Sequence, residues 1–462
     1  MDGIETNKIL PTPTPTNGPV KDSRIVIVGA GCFGLSTAHH LLLRGYTDVT
    51  VLDRSTTLPA PDAASNDLNR IVRSSYADLF YAELAREAIS SWKDREKWGD
   101  IYDESGLLLL GLSPAKSEVD NHPYADKSYH NDVVLGSRLN NLPNGEAIRE
   151  VFPPDVRTGT FEQSAGYLNL DSGWANAGKG LRRLMQHIET LNGRILPGKE
   201  VNKILRHSVE QPKEVSPAKQ QAAGKISGVQ CADGSIVLAD LVVIATGSWT
   251  PSAFTDLDLG KVCLATGQPV AMIQLSKEEA EIYRRCPVIL DFSSGFYIFP
   301  PNEDHIVKMA QNSPGYTHFG IIDQISTPRT ITSDPDQGLC IPRTVLQVFR
   351  KHLKNIYPDL ALKPFSATRL CWYTDTADED WLIGRRPSDP SVVFATGGSG
   401  HAYKFLPVIG RLVADLIEGK FGAELEAKFA IDRPIDKGIY FRAGQAQRLD
   451  VNELCTPEDL LI

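Results

Sequence analysis

Two short stretches hold residues whose types and spacing could do chemistry. The first is "VGAGCFG", where Gly29, Gly31 and Gly34 follow an apolar run and Asp53 closes the next one. In the G-x-G-x-x-G spacing Gly29 permits a tight turn, Gly31 lets a pyrophosphate approach the backbone, and Gly34 lets helix and strand pack closely. An acid at Asp53 holds ribose hydroxyls and repels a 2′-phosphate, which points to a dinucleotide other than NADP. The second stretch is "RLCWYTDTADEDWLIG", built around a lone cysteine, Cys371. It has no Cys-x-x-Cys partner and no neighbouring histidine, so taken by itself it reads as a small hydrophobe packed in a strand. The acids after Tyr373 read as a solvated turn without a catalytic role.

The elements that position these residues follow from periodicity. Ile25 to Val28 is a continuous apolar run of the kind found in buried parallel strands. A helical segment, "LSTAHHLLLRG", and a second strand, "VTVLD", complete a strand–turn–helix–strand unit whose helix N-terminus faces the phosphates. "DLFYAELAREAISSWKDREKW" and "SGWANAGKGLRRLMQHIETLNG" carry helical spacing, and "FYIFPPNEDHIVKMAQ" reads as a hairpin turning at Pro301 to Asp304. Two later segments, "LVVIATGSW" and "VVFATGGSGHAYKFLPVIGRLVADLIEG", repeat a strand-then-glycine pattern, and the second places a helix N-terminus just after Gly398 and Gly400. Nucleotide-binding pieces thus fall at the start, middle and end of the chain. We expect a discontinuous nucleotide-binding domain (24–100, 165–252 and 368–425) and a second domain from the insertions (101–164 and 253–367). A Thr-Pro-rich disordered leader (1–23) and a C-terminal tail (426–462) flank them.

Composition sets the class. The chain has 462 residues, net charge −9 and 42% hydrophobic residues, an ordinary globular balance with no long basic run, which makes polyanion binding a poor default. Nucleic acid is not an expected partner. Seven scattered cysteines form neither a disulfide framework nor a zinc spacing, as in a reducing compartment. No apolar run approaches the roughly 18 residues that span a bilayer, so no membrane partner is expected. There is no secretory signal and no C-terminal Ser-Lys-Leu-type sequence, and the expected localisation is intracellular, in the cytoplasm.

The chain resembles the flavoprotein amine oxidases of the monomeric sarcosine oxidase, pipecolate oxidase and fructosyl amino acid oxidase group. The resemblance runs from about Arg24 to Lys428 and is carried by "NRIVRSSYAD", "ATGQPV", "LDFSSGFYIFPP", "YTDTADED" and "TGGSGHAYKF", closest to the fungal saccharopine and pipecolate oxidases. It implies an α/β two-domain flavoprotein: a Rossmann-like FAD-binding domain and a discontinuous substrate domain with a mixed β-sheet. It implies FAD as cofactor, a small amino-acid-like amine and O2 as partners, a monomer, and oxidation of a C–N bond with release of H2O2.

Site residues follow position by position. Cys371 falls on the cysteine that forms a thioether to the flavin 8α-methyl group, which replaces the packed-hydrophobe reading. Arg73 and Lys404 fall on two cations that grip the substrate carboxylate, a planar fork and a point charge. Arg70 is assigned to support of the flavin, and Arg54, beside Asp53, joins the cofactor set. Tyr373 and Tyr297 match aromatic positions lining the cavity, though either also fits a core tyrosine with a satisfied hydroxyl. Lys308, in "HIVKMAQN", falls on the lysine thought to activate oxygen. A lysine inside an apolar strand is costly to bury without work or a partner. His401 reads as a hydrogen-bonding support.

Two departures bear on substrate. Asn66 stands where the sarcosine oxidase type has a histidine. Asn312 stands where that type has a histidine and fructosyl oxidases a glutamate, which argues against a sugar moiety, although "SNDLN" echoes the fructosyl group. Saccharopine- or pipecolate-like amines come first. The alternatives are a biosynthetic oxidase whose imine is captured in a ring, a fructosyl amino acid oxidase, a dehydrogenase that passes electrons to a carrier, and a non-enzymatic flavin-binding protein.

Overall fold

The computed structural model describes residues 18–112, 123–207, 225–320, 324–435, 442 and 444–461. Its fold is mixed α/β with several sheets. The Ile25–Val28 strand lies at the centre of a six-stranded sheet, paired in parallel with Val49–Leu52 on one side and Leu241–Ile244 on the other. Leu241–Ile244 pairs in parallel with Asp389–Thr396, so segments from the start, middle and end of the sequence meet in one sheet. Both faces of this sheet are covered, which is why its central strands Ile25–Val28 and Leu241–Ile244 are apolar at every position. Ile25 and Ile27 face a core built with the helices Cys32–Leu43, Ala177–Thr190 and Ile409–Ile417. Val26 and Val28 face the other way, against a small sheet containing Val201, Ile226 and Val229.

The second large sheet is ten-stranded and mixed, with Val288–Asp291 parallel to Leu107–Leu110 and antiparallel pairs around them. Its long strand Leu264–Gln274 pairs with both Ile306–Gln311 and Ala367–Asp375. Alternation along these strands decides what reaches the site. Val307, Met309, Leu370 and Trp372 enter one apolar core, beneath the helix Arg343–Ile356. Ala310 and Cys371 face the opposite side, where Tyr297 and Tyr373 pack against them. Phe296–Ile298 and Ile306–Gln311 form the expected hairpin.

Four expectations are corrected. Most of the predicted leader, 1–17, lies outside the described residues, but 18–23 are folded: the Lys21 ammonium bonds Glu418 at 2.6 Å and lies 4.0 Å from the centre of the Tyr46 ring. The segment after residue 426 is no appended tail. Phe429 is buried in the first core, and Leu449, Leu454 and Cys455 are buried in the second. The acids after Tyr373 are not a solvated turn. Asp378 takes a two-pronged contact from Arg433, Asp375 takes one from Arg442, and both arginine side chains are about as buried as their partners. Finally, the α-helix near the C-terminus begins at Ile409, not just after Gly400, with a 3-10 turn at Tyr403–Phe405 between them. A helix starting at His401 would carry Pro407 in its interior, at a cost of about 3 kcal/mol.

Candidate active site

The glycine turn and the helix behind it form a cradle. Gly31 caps the helix Cys32–Leu43 without a side-chain hydrogen bond, leaving a helix N-terminus open to an anion. Asp53 is fixed at the neighbouring strand end, accepting from Ala30 N at 2.8 Å and Ser55 N at 2.9 Å. Burial raises its carboxyl above the ordinary value, against those two bonds. The Arg54 guanidinium lies 4.5 Å from the centre of the Trp249 ring. A Cβ on Gly34 would sit 1.8 Å from the Gly29 carbonyl oxygen, which only close helix–strand packing explains. These features fit the diphosphate and ribose of FAD. Gly34→Ala is expected to abolish cofactor retention, read as loss of flavin absorbance in purified protein.

A cavity of about 730 Å³ is lined by the ten-stranded sheet, by the strand Arg70–Val72 and by the segment that follows the strand Asp389–Thr396. Arg70, Arg73, Tyr297, Tyr373, Gly400 and Lys404 all line it, as does Asn312. Gly400 is tight against Tyr373: its φ is +73°, and a Cβ there would meet the ring at 2.6 Å. Arg73 is buried, its guanidinium 4.4 Å from the Tyr76 ring centre and 5.6 Å from that of Phe292. Lys404 Nζ donates to Tyr76 Oη at 2.7 Å and to the His401 carbonyl at 2.8 Å. Burial, with Arg73 beside it, pushes Lys404 well below the ordinary lysine value.

Cys371 and Lys308 are not on the cavity wall, but each is one contact behind it. Arg70 Nη2 lies 3.3 Å from Cys371 Sγ. Lys308 is fully buried and donates to Asp67 Oδ2 at 2.9 Å and to the Asn69 carbonyl at 2.7 Å. Burial brings Lys308 down to about 8, with Asp67 opposing the fall. Asp67 also pairs with Arg70. Burial works against the Asp67 charge, yet Arg70 and Lys308 outweigh it and hold the carboxyl well below the usual range.

Asp67, Tyr76, Arg433 and Arg442 belong to this site and were not singled out from sequence. For Asp67 a signal existed, an acid three residues before Arg70 in "DLNR". For the two late arginines there was none. His401 does support its neighbours: Nε2 bonds the Glu379 carbonyl at 2.9 Å and Nδ1 bonds Tyr76 Oη at 3.2 Å. No helix among the described residues is long and apolar enough to cross a membrane.

Known proteins match along most of the chain. The family model described as FAD dependent oxidoreductase matches residues 24–416. L-saccharopine oxidase of Schizosaccharomyces pombe is 33% identical over 408 residues, covering 87% of this chain and 91% of that protein. The amino acid oxidase imqH of Aspergillus flavus is 30% identical over 453 residues, covering 85% and 92%. The fructosamine oxidase Amadoriase II of Aspergillus fumigatus, a deglycating enzyme solved in complex with FSA, superposes with TM-score 0.76 at 29% identity over 90% of each chain. With its glycine cradle, its paired sheets and a match spanning residues 24–416, the chain belongs to the FAD dependent oxidoreductase family.

Proposed function

We propose that this protein oxidises the C–N bond of a secondary amine that carries an α-carboxylate, with saccharopine- or pipecolate-like compounds as the first substrate class. The observation that carries this reading is the convergence of Arg73 and Lys404 on one cavity walled by Tyr297 and Tyr373. Bound FAD would supply the two-electron acceptor for the C–H bond next to nitrogen and return the electrons to O2 as H2O2. Arg73 and Lys404 fix the carboxylate, and so orient that C–H bond. Tyr297 and Tyr373 exclude water from it. Lys308, held charged by Asp67, is the fixed cation for the anionic stage of oxygen reduction.

Within the same reading Gly29, Gly31, Gly34 and Asp53 hold the dinucleotide, with Arg54 and Gly398 beside it, and Cys371 anchors the flavin as an 8α-thioether. The guanidinium of Arg70 against Sγ gives this cysteine the electropositive neighbour that reactive thiols have. Cys371 would supply the sulfur of that bond, whose formation would release the thiol hydrogen, one methyl hydrogen and two electrons, with O2 as the oxidant that takes them up as H2O2. Protein precipitated by acid should therefore stay yellow, and a peptide containing Cys371 should carry the mass of FAD. Cys371→Ser should release the flavin to the supernatant. A colourless wild-type precipitate returns Cys371 to a packing role.

Asn312 lines the cavity and is neutral, which favours amino acids over polyhydroxylated sugar adducts at the far end. The deciding experiment measures H2O2 release over pipecolate, saccharopine, N-alkyl amino acids and fructosyl-valine. We expect the first three to exceed the last in kcat/KM. A preference for fructosyl-valine assigns the protein to deglycation.

A further inference from the structure

Amine oxidation needs a neutral nitrogen, whereas a secondary amino acid enters solution chemistry near neutrality as an ammonium. Something must take that proton, and the hydrogen bonds around Lys404 identify the group. His401 Nε2 faces the Glu379 carbonyl, which only accepts, so Nε2 carries the ring proton. His401 Nδ1 is therefore bare, because burial holds the ring well below the ordinary histidine value and keeps it neutral. Tyr76 must then donate its single proton to Nδ1, which leaves Tyr76 Oη to accept from Lys404. The second acceptor at Nζ is the His401 carbonyl. Two acceptors and no donor satisfy an uncharged –NH2 group completely and leave its lone pair unused.

The surroundings agree. Arg73 and Arg70 face Lys404 from the strand Arg70–Val72 and the turn after it, and the Cys32 thiol faces it from the first helix. No carboxylate among the described residues pairs with Nζ. Asp67 already serves Arg70 and Lys308. The acids that line the cavity make no hydrogen bond to Nζ among the described residues, so a charge there gains its counter-ion from a bound carboxylate.

We propose that Lys404 rests uncharged and is the base that accepts the substrate's ammonium proton. The N–H bond on the substrate nitrogen breaks, an N–H bond at Nζ forms, and no electrons leave the pair. Net charge is unchanged, and the new ammonium sits beside the carboxylate that Arg73 holds. Substrate deprotonation and carboxylate binding thus become one event. This inference rests on the carboxylate site proposed above.

The test separates the two. Cyclohexanecarboxylate has the shape and anion of pipecolate but no nitrogen to give up a proton. Its binding to the FAD-loaded protein at about pH 8, in weak buffer with an indicator dye, is expected to take up about one proton per ligand bound. Lys404→Arg, which stays charged, is expected to take up none. Its anaerobic flavin reduction should also rise about tenfold per pH unit towards the substrate's own pKa, where the wild type stays within about threefold. Wild-type binding without proton uptake overturns the base and leaves the carboxylate site standing. If cyclohexanecarboxylate neither binds nor competes with substrate, the carboxylate site falls and the base falls with it. The wild-type measurement decides even if the variant does not fold.

Discussion

Arg73→Ala is expected to lower kcat/KM for pipecolate or saccharopine at least about a hundredfold, equivalent to about 2.7 kcal/mol at the transition state. The size follows from burial. The Arg73 guanidinium lies over the Tyr76 ring and beside Phe292, so an incoming carboxylate is desolvated and depends on the partner it finds. A charge-assisted pair in such a place contributes about 1.5–3 kcal/mol, and losing one member also leaves the other buried alone. Amide and ester analogues should lose a similar factor against the wild type, and the variant should barely distinguish acid from amide. Arg73→Lys should recover part of the loss, since a point charge replaces a fork. Steady-state oxygen consumption with matched acid and amide checks all three. An amide turned over as well as the acid removes the carboxylate clamp.

What the sequence disclosed was local. The run Ile25 to Val28, the glycine turn and Asp53 lie within one strand–helix–strand unit, where periodicity and turn chemistry act over short distances. The hairpin that carries Lys308 was legible for the same reason. Alternation in "RLCWY" even separates Cys371 and Tyr373 from Leu370 and Trp372, which face the apolar core. The partners that set the charges were not legible. Asp67 meets Lys308 across 241 residues, and Arg442 meets Asp375 across 67. No pattern in a chain states which acid will neutralise which buried cation, because the fold, not the spacing, makes them neighbours. The acids after Tyr373 were misread for this reason: a charged run looks solvated until its counter-ions are placed.

Lys308→Met is expected to leave anaerobic flavin reduction within about tenfold of wild type while slowing reoxidation by O2 a hundredfold or more, again about 2.7 kcal/mol. The first electron transferred to O2 creates an anion, and a cation already in place stabilises it without reorganisation. At an effective dielectric near 20, unit charges 4 Å apart attract by about 4 kcal/mol, enough to supply an effect of that size. The lysine must be charged to act, and here its environment matters. Burial brings Lys308 to about 8, so the charged form dominates below that pH and is lost above it. Wild-type reoxidation should therefore fall as pH rises through about 8. Asp67 opposes the effect of burial, so Asp67→Asn removes that support and moves the fall to lower pH. Asp67→Glu keeps the charge and should keep the inflection nearer its wild-type position. Stopped-flow mixing of photoreduced protein with O2 across the pH range measures each profile. Reoxidation of Lys308→Met at the wild-type rate removes the lysine from oxygen chemistry and reopens a carrier protein or quinone as the electron acceptor. A wild-type rate that stays level through pH 8, with Lys308→Met slow throughout, keeps the lysine in place but assigns its protonation to partners beyond Asp67.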